Sequence, residues 1–220
     1  MKGTVVRLLA VGLLSLAART AQAGVSVEVD TAKDKSLLAS FDTFTSSCSG
    51  GIDSAVDVQW NSSLFRSSST GTTSQAVVIV SLRYVNTCTG DSLMMSGFSL
   101  TPNGTVATDL SKGHVDAVVP VSTDPDFSPI MTATVNLSLD FTATGPLATI
   151  RNNDTSRGGG VITIDRFSTS SRPATATGSA NATLPLSTGA KFVNLIGSSS
   201  LSASIGKDAS GSVTIIKKTK

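Results

Sequence analysis

From Thr132 to Phe141, apolar and polar residues alternate without a break. Ala133, Val135, Leu137, Leu139 and Phe141 fall on one side, and Thr134, Asn136, Ser138 and Asp140 on the other. A two-residue period is that of a β-strand with one face in a core and the other in water. The same period, in shorter stretches, predicts strands near Val25–Val29, Leu38–Phe44, Ala55–Trp60, Ala76–Val85, Leu93–Leu100 and Val115–Val121. Further strands are predicted near Val161–Phe167, Ala174–Leu184, Phe192–Ile196, Leu201–Ile205 and Val213–Ile216. Ala174–Leu184 alternates Thr with Ala and is weakly apolar, which reads as an edge or an exposed hairpin arm.

Turn-forming clusters separate these stretches, among them Ser67–Gly71, Asn152-Asn153-Asp154 and Gly158-Gly159-Gly160. Pro102-Asn103-Gly104 has the composition of a hairpin turn. No stretch carries the apolar stripe of an amphipathic helix. Many strands at short spacing, broken by Gly and Asn turns, predict an all-β fold: a β-sandwich, jelly-roll or immunoglobulin-like. A faint self-similarity, Val56–Trp60 with Val135–Leu139 and Val78–Tyr84 with Val161–Phe167, would make it two related β modules sharing one core.

Residues 1–23 differ from the rest. Lys2 and Arg7 precede an apolar run, Leu8–Ala18, and Ala21-Gln22-Ala23 follows it. That is the form of a cleavable secretory signal helix, with an apolar run too short to span a bilayer. The expected organisation is a signal peptide, 1–23, and one secreted β-sandwich domain, 24–220. Lys2, Arg7 and Arg19 lie in the signal, so a formal charge of +2 for the whole chain becomes −1 for the remainder. A near-neutral chain gives no electrostatic argument for binding nucleic acid or anionic lipid. Fourteen of the 15 acidic residues are Asp, with Glu28 the single Glu, and Asp favours turns over helices.

Cys48 and Cys88 are the two cysteines. In an exported protein an even count predicts a disulfide, and a link of this span is worth about 3–4 kcal/mol in the chain-entropy model. Two sulfurs and one distant His fall short of a zinc set.

The chemistry-bearing residues are few. His114 is the single histidine, and no Gly-x-Ser-x-Gly elbow accompanies it to build a Ser-His-Asp triad. Asp140 and Asp165, each in or beside an apolar strand, are the better candidates for a glycosidase carboxylate pair, although a solvent-facing Asp on a strand explains both. Thr123-Asp124-Pro125-Asp126 and Asn152-Asn153-Asp154 crowd oxygen ligands that would suit calcium, without matching a known calcium loop. Trp60 reads as core rather than as a sugar platform. Asn-x-Ser/Thr occurs at Asn61, Asn103, Asn136, Asn153 and Asn181, as expected by chance in a chain so rich in Ser and Thr. No second apolar stretch of spanning length follows the signal, and one Trp and one Tyr cannot build the aromatic girdles of a membrane barrel.

These features predict a secreted protein, extracellular or periplasmic, without catalytic residues or a resident cofactor. It would act as a surface, matrix or ligand-binding module toward a carbohydrate or a protein surface. The alternatives are a secreted carbohydrate-active hydrolase using an Asp pair, or a calcium-dependent carbohydrate-binding module.

Overall fold

The computed structural model describes residues 25–217, except Ser49, Pro125, Phe127 and Ser128; the expected signal helix lies outside the described residues. Those residues form eleven strands and no helix: β1 (Val25–Ser47), β2 (Gly50–Ser67), β3 (Gly71–Asn86), β4 (Asp91–Ser99), β5 (Asn103–Val106), β6 (Lys112–Ser122), β7 (Thr132–Ala143), β8 (Ala148–Gly158), β9 (Val161–Leu186), β10 (Gly189–Asn194) and β11 (Ser202–Lys217). Every pairing is antiparallel.

One strand creates the two layers. The first part of β9, Val161–Ala174, pairs with β11, and β8 lies on its other side. The second part, Ala174–Leu186, pairs with β7 and β10. All eleven strands are thus hydrogen-bonded into one sheet folded over on itself: β8–β9–β11–β1–β2–β3–β4 makes one layer, which we call the first sheet, and β5–β6–β7–β9–β10 the other, the second sheet, with β9 in both. At the opposite edge the sheets meet through two residue pairs, Ser96–Ser122 and Gly97–Val121. A Cβ on Gly97 would sit 1.9 Å from the Pro120 carbonyl oxygen, so this seam closes only over a glycine.

The core lies between the layers. Leu37, Phe41, Val56, Val58, Trp60, Val78, Val80, Tyr84 and Ile205 face Val115, Val119, Val135, Leu139, Phe141, Ala176, Ala180 and Leu184. Trp60 is 2% exposed, and its indole lies against Gly104 of β5, where a Cβ would approach to 2.3 Å. The alternating strand 132–141 is β7, with the expected side inward.

Several expectations change. Val25–Val29 and Leu38–Phe44 are one strand, as are the two predicted segments within β9 and the two within β11. Apart from the buried Leu37 and Ser170, the intervening residues are mostly polar and are held by cross-strand pairing rather than by burial. Pro102-Asn103-Gly104 is no hairpin turn: Asn103 and Gly104 begin β5, which pairs with β6. Asn152-Asn153-Asp154 is no loop but part of β8. Ala174–Leu184 is no exposed arm but the crossing part of β9, whose Ala174, Ala176, Ala180 and Ala182 are buried. Alanine's small size lets the second sheet approach closely there. The pairing does not repeat between the halves, since Val56–Trp60 pairs with Val78–Leu82 whereas Val135–Leu139 pairs with Gly178–Ala182.

The first sheet is much longer than the second. Residues 25–36, 61–77, 148–169 and 206–216 run beyond it and contain no buried side chain. This extension is a single layer made of the β2–β3 hairpin, the β8–β9 hairpin and the terminal strands β1 and β11. Its registers are unbroken, so directly paired residues share a face. The face continuous with the core carries Lys33, Lys35, Arg66, Arg151, Arg157, Arg166 and Lys207, and no acid. The outer face carries Glu28, Asp30, Asp34, Asp154, Asp165 and Asp208, and no base. At its root Lys35 Nζ and Lys207 Nζ donate to the Val106 and Thr108 carbonyls at 3.2 and 2.7 Å. They pin the β5–β6 loop, whose Leu110, at φ 58°, is fully buried at that end of the core.

The opposite end is clipped covalently. Cys48, after β1, is bonded to Cys88 between β3 and β4, with 6.0 Å between Cα atoms. Nearby, Asp91 accepts from the Ser187 backbone N–H at 2.8 Å and ties the β3–β4 turn to the β9–β10 turn. The purified protein is expected to show no free thiol when unfolded without reductant. Replacing both cysteines by Ala should lower its unfolding free energy by about 3–4 kcal/mol in urea titrations, the loop-closure value.

Candidate functional site: a polar face on the second sheet

The outward residues of β6, β7 and β9 are fixed by the inward ones. Val115, Val119, Leu137, Leu139, Ala180 and Ala182 are buried, so their neighbours in sequence point to solvent. Pairing aligns those neighbours into rows across the sheet. Asn103, Asp116, Ser138 and Ser179 form one row. Val118, Asn136, Asn181 and Asn194 form the next. A groove of about 380 Å³ runs over the first row, over Val118, Asn136 and Asn181 of the second, and over Thr101, and no cation lines it. Beyond Asn194, Phe192 projects from β10 on the same side, 66% exposed.

One row away is His114, opposite Asp140 on β7 and two residues from Asp116 on its own strand. Its Nδ1 lies 2.7 Å from Asp140 Oδ1 and its Nε2 lies 2.7 Å from Asp116 Oδ2. A neutral imidazole has one N–H and one lone pair, so it satisfies only one of these carboxylates. The imidazolium satisfies both. Accordingly the hydrogen bond to Asp116, followed by that to Asp140, raises the His114 pKa above its ordinary value of 6.5, against a smaller desolvation effect. The Ser138 hydroxyl, and then His114, hold Asp116 below the usual carboxylate range. With both ring nitrogens engaged, this arrangement offers none to a serine hydroxyl, as a Ser-His-Asp triad requires.

The other candidates are dispersed. Asp140 lies at His114, whereas Asp165 lies in the extension, paired across strands with Asp154. Asp165 and Thr177, the residue opposite Asp140, are separated by twelve positions of β9. Asp124 Oδ1 accepts from the Asp126 backbone N–H at 3.0 Å, a local turn. In β8 the alternation sends Asn153 to one face and Asn152 and Asp154 to the other, which divides the predicted oxygen cluster. Among the described residues no three His, Cys, Asp or Glu side chains are grouped to hold a metal. Of the Asn-x-Ser/Thr sites, Asn103, Asn136 and Asn181 gather at the groove. Their convergence has no signal in the linear sequence, because it depends on the register of β5, β6, β7 and β9.

No protein-family model matches the chain, and a search of curated proteins finds no match.

The sign of the His114 effect follows from linkage. A histidine with a raised native pKa contributes stability that is fully present below the unfolded value near 6.5 and is lost as pH rises through the native value. Asp116 works at the acid end: its contribution is present above the ordinary 3.8 and is lost as pH falls through its lowered native value. Thermal unfolding followed by circular dichroism should give a higher midpoint at pH 6 than at pH 8.5. His114→Gln should reduce that difference, and an unchanged pH dependence would refute the assignment.

Proposed function

We propose that the chain is an exported, non-catalytic β-sandwich that binds a neutral carbohydrate on the polar face of its second sheet. The observation carrying this reading is the groove itself. Asn136 and Asn181 side by side, with Asn103, Ser138, Ser179 and Asp116, supply both donors and acceptors on a rigid sheet. Hydroxyl groups of a sugar need that mixture, and a groove without a cation favours a neutral ligand over an anionic one. Phe192 adds an apolar ring against which a sugar face can pack.

Export is supported by the form of residues 1–23 and by the Cys48–Cys88 disulfide, which persists in an oxidising compartment. The absence of catalysis is supported by the engagement of the single histidine between two carboxylates.

Titration calorimetry against soluble neutral oligosaccharides, guided by a glycan array, tests the reading. Binding is expected for at least one neutral glycan and should fall about tenfold or more in Asn136→Ala and Asn181→Ala, with midpoints of unfolding within a few degrees of the parent. Binding that survives both substitutions would place the ligand elsewhere.

A further inference from the structure

We propose that the extension of the first sheet is a self-association surface, in which the basic face of one copy stacks on the acidic outer face of a second copy. This inference uses none of the residues of the carbohydrate groove and stands apart from that reading.

A single sheet layer open to water on both faces has no core of its own, and in a globular protein one face ordinarily packs against something. Here the two faces differ completely in charge: seven cations on one and six carboxylates on the other, without exception among the described side chains. Within a single copy the two signs are kept on opposite sides of the sheet, so few of these charges pair internally. Arg66, Arg151 and Arg166 are exposed on the basic face, Arg151 and Arg166 on the adjacent strands β8 and β9 and Arg66 three strands away from Arg166 in the same row.

The acidic face has the matching receptor. A groove of about 400 Å³ lies over Asp30, Asp154 and Asp165, bounded by Phe65 and Phe167, and Arg166, whose place in the register is on the other face, also contributes to its lining. Asp154 and Asp165 are direct cross-strand neighbours, a like-charge pair that costs stability unless a cation comes between them. A guanidinium is the group best shaped to satisfy such neighbouring carboxylates. A second copy brings three of them on one face.

The size is also right. Six strands over seven residues and four strands over five more give each face an area of about 1,000 Å², at spacings of about 4.8 and 3.4 Å. That is at the upper end of what each partner contributes to a standard protein–protein interface, about 600–1,000 Å². Isologous contacts, basic on basic or acidic on acidic, would oppose like charges. The favoured contact is therefore heterologous, and it leaves one unused face at each end of any pair, ready for a further copy.

Sedimentation velocity of the purified protein, across a concentration series and from 50 mM to 1 M NaCl, provides the test. Oligomers are expected at low salt that dissociate as salt rises. The double variants Arg151→Glu/Arg166→Glu and Asp154→Lys/Asp165→Lys should each be monomeric, with native circular dichroism. Mixed together they should associate again, because each then presents to the other a face of opposite sign. A wild-type protein that stays monomeric at every salt concentration overturns the proposal. So does association that neither charge reversal weakens, or variants that fail to associate on mixing. Binding of the wild-type monomer to heparin or to vesicles containing phosphatidylglycerol, without self-association, would assign the basic face to a polyanion or a membrane instead. Carbohydrate titrations on the same variants separate the two proposals, since neither reversal touches the groove.

Discussion

The strict two-residue alternation of unbroken antiparallel strands governs everything else in this molecule. Because no register slips along the pairings of β1, every side chain in a row keeps its side of the sheet from the disulfide end to the far tip. Where the second sheet is present, that rule places Leu37, Trp60, Val78 and Ile205 in one buried row. Where it is absent, the same rule sorts charge instead of hydropathy. Core and extension are thus one continuous pattern, filled by different chemistry on either side of the row at Leu37.

Much of this pattern was legible in the linear sequence. The alternation in β7 gave the correct inward face, and the bridge between Cys48 and Cys88 followed from their even number and the expectation of export. The strands with an apolar side were readable because burial writes itself into hydropathy. β8 was not, because all eleven of its residues are exposed and, after Ala148 and Ile150, nothing apolar marks it as a strand. β5 was hidden by an Asn-Gly pair that has the composition of a turn but sits where β5 passes over Trp60. The crossing of β9 between sheets was invisible too, since it depends on which neighbours its two parts find.

The charge sorting is a subtler case. Lys33-Asp34-Lys35, Asp165-Arg166 and Lys207-Asp208 all alternate in sign. Each pair alone resembles an ordinary solvated surface. Only the registers, which set Asp34 opposite Asp208 and Lys35 opposite Lys207, reveal that the signs agree from strand to strand. The polar groove has the same character: Asn136 and Asn181 are 45 positions apart and become neighbours through pairing alone. Long-range register therefore determines both surfaces, whereas local sequence determines the core.

The position of β1 has a consequence for the order in which the molecule is made. β1 is the first strand of the described chain, yet it lies between β2 and β11, and β11 is the last. Val25 pairs with Lys217, so the middle of the long sheet joins the first and last described strands. Contacts of such sequence separation form late and slowly, because the whole intervening chain must be closed into a loop first. A nascent chain emerging from the ribosome cannot complete this sheet until β11 exists. The layer that carries both the buried row at Leu37 and the sorted charges is therefore the last part of the molecule to be completed.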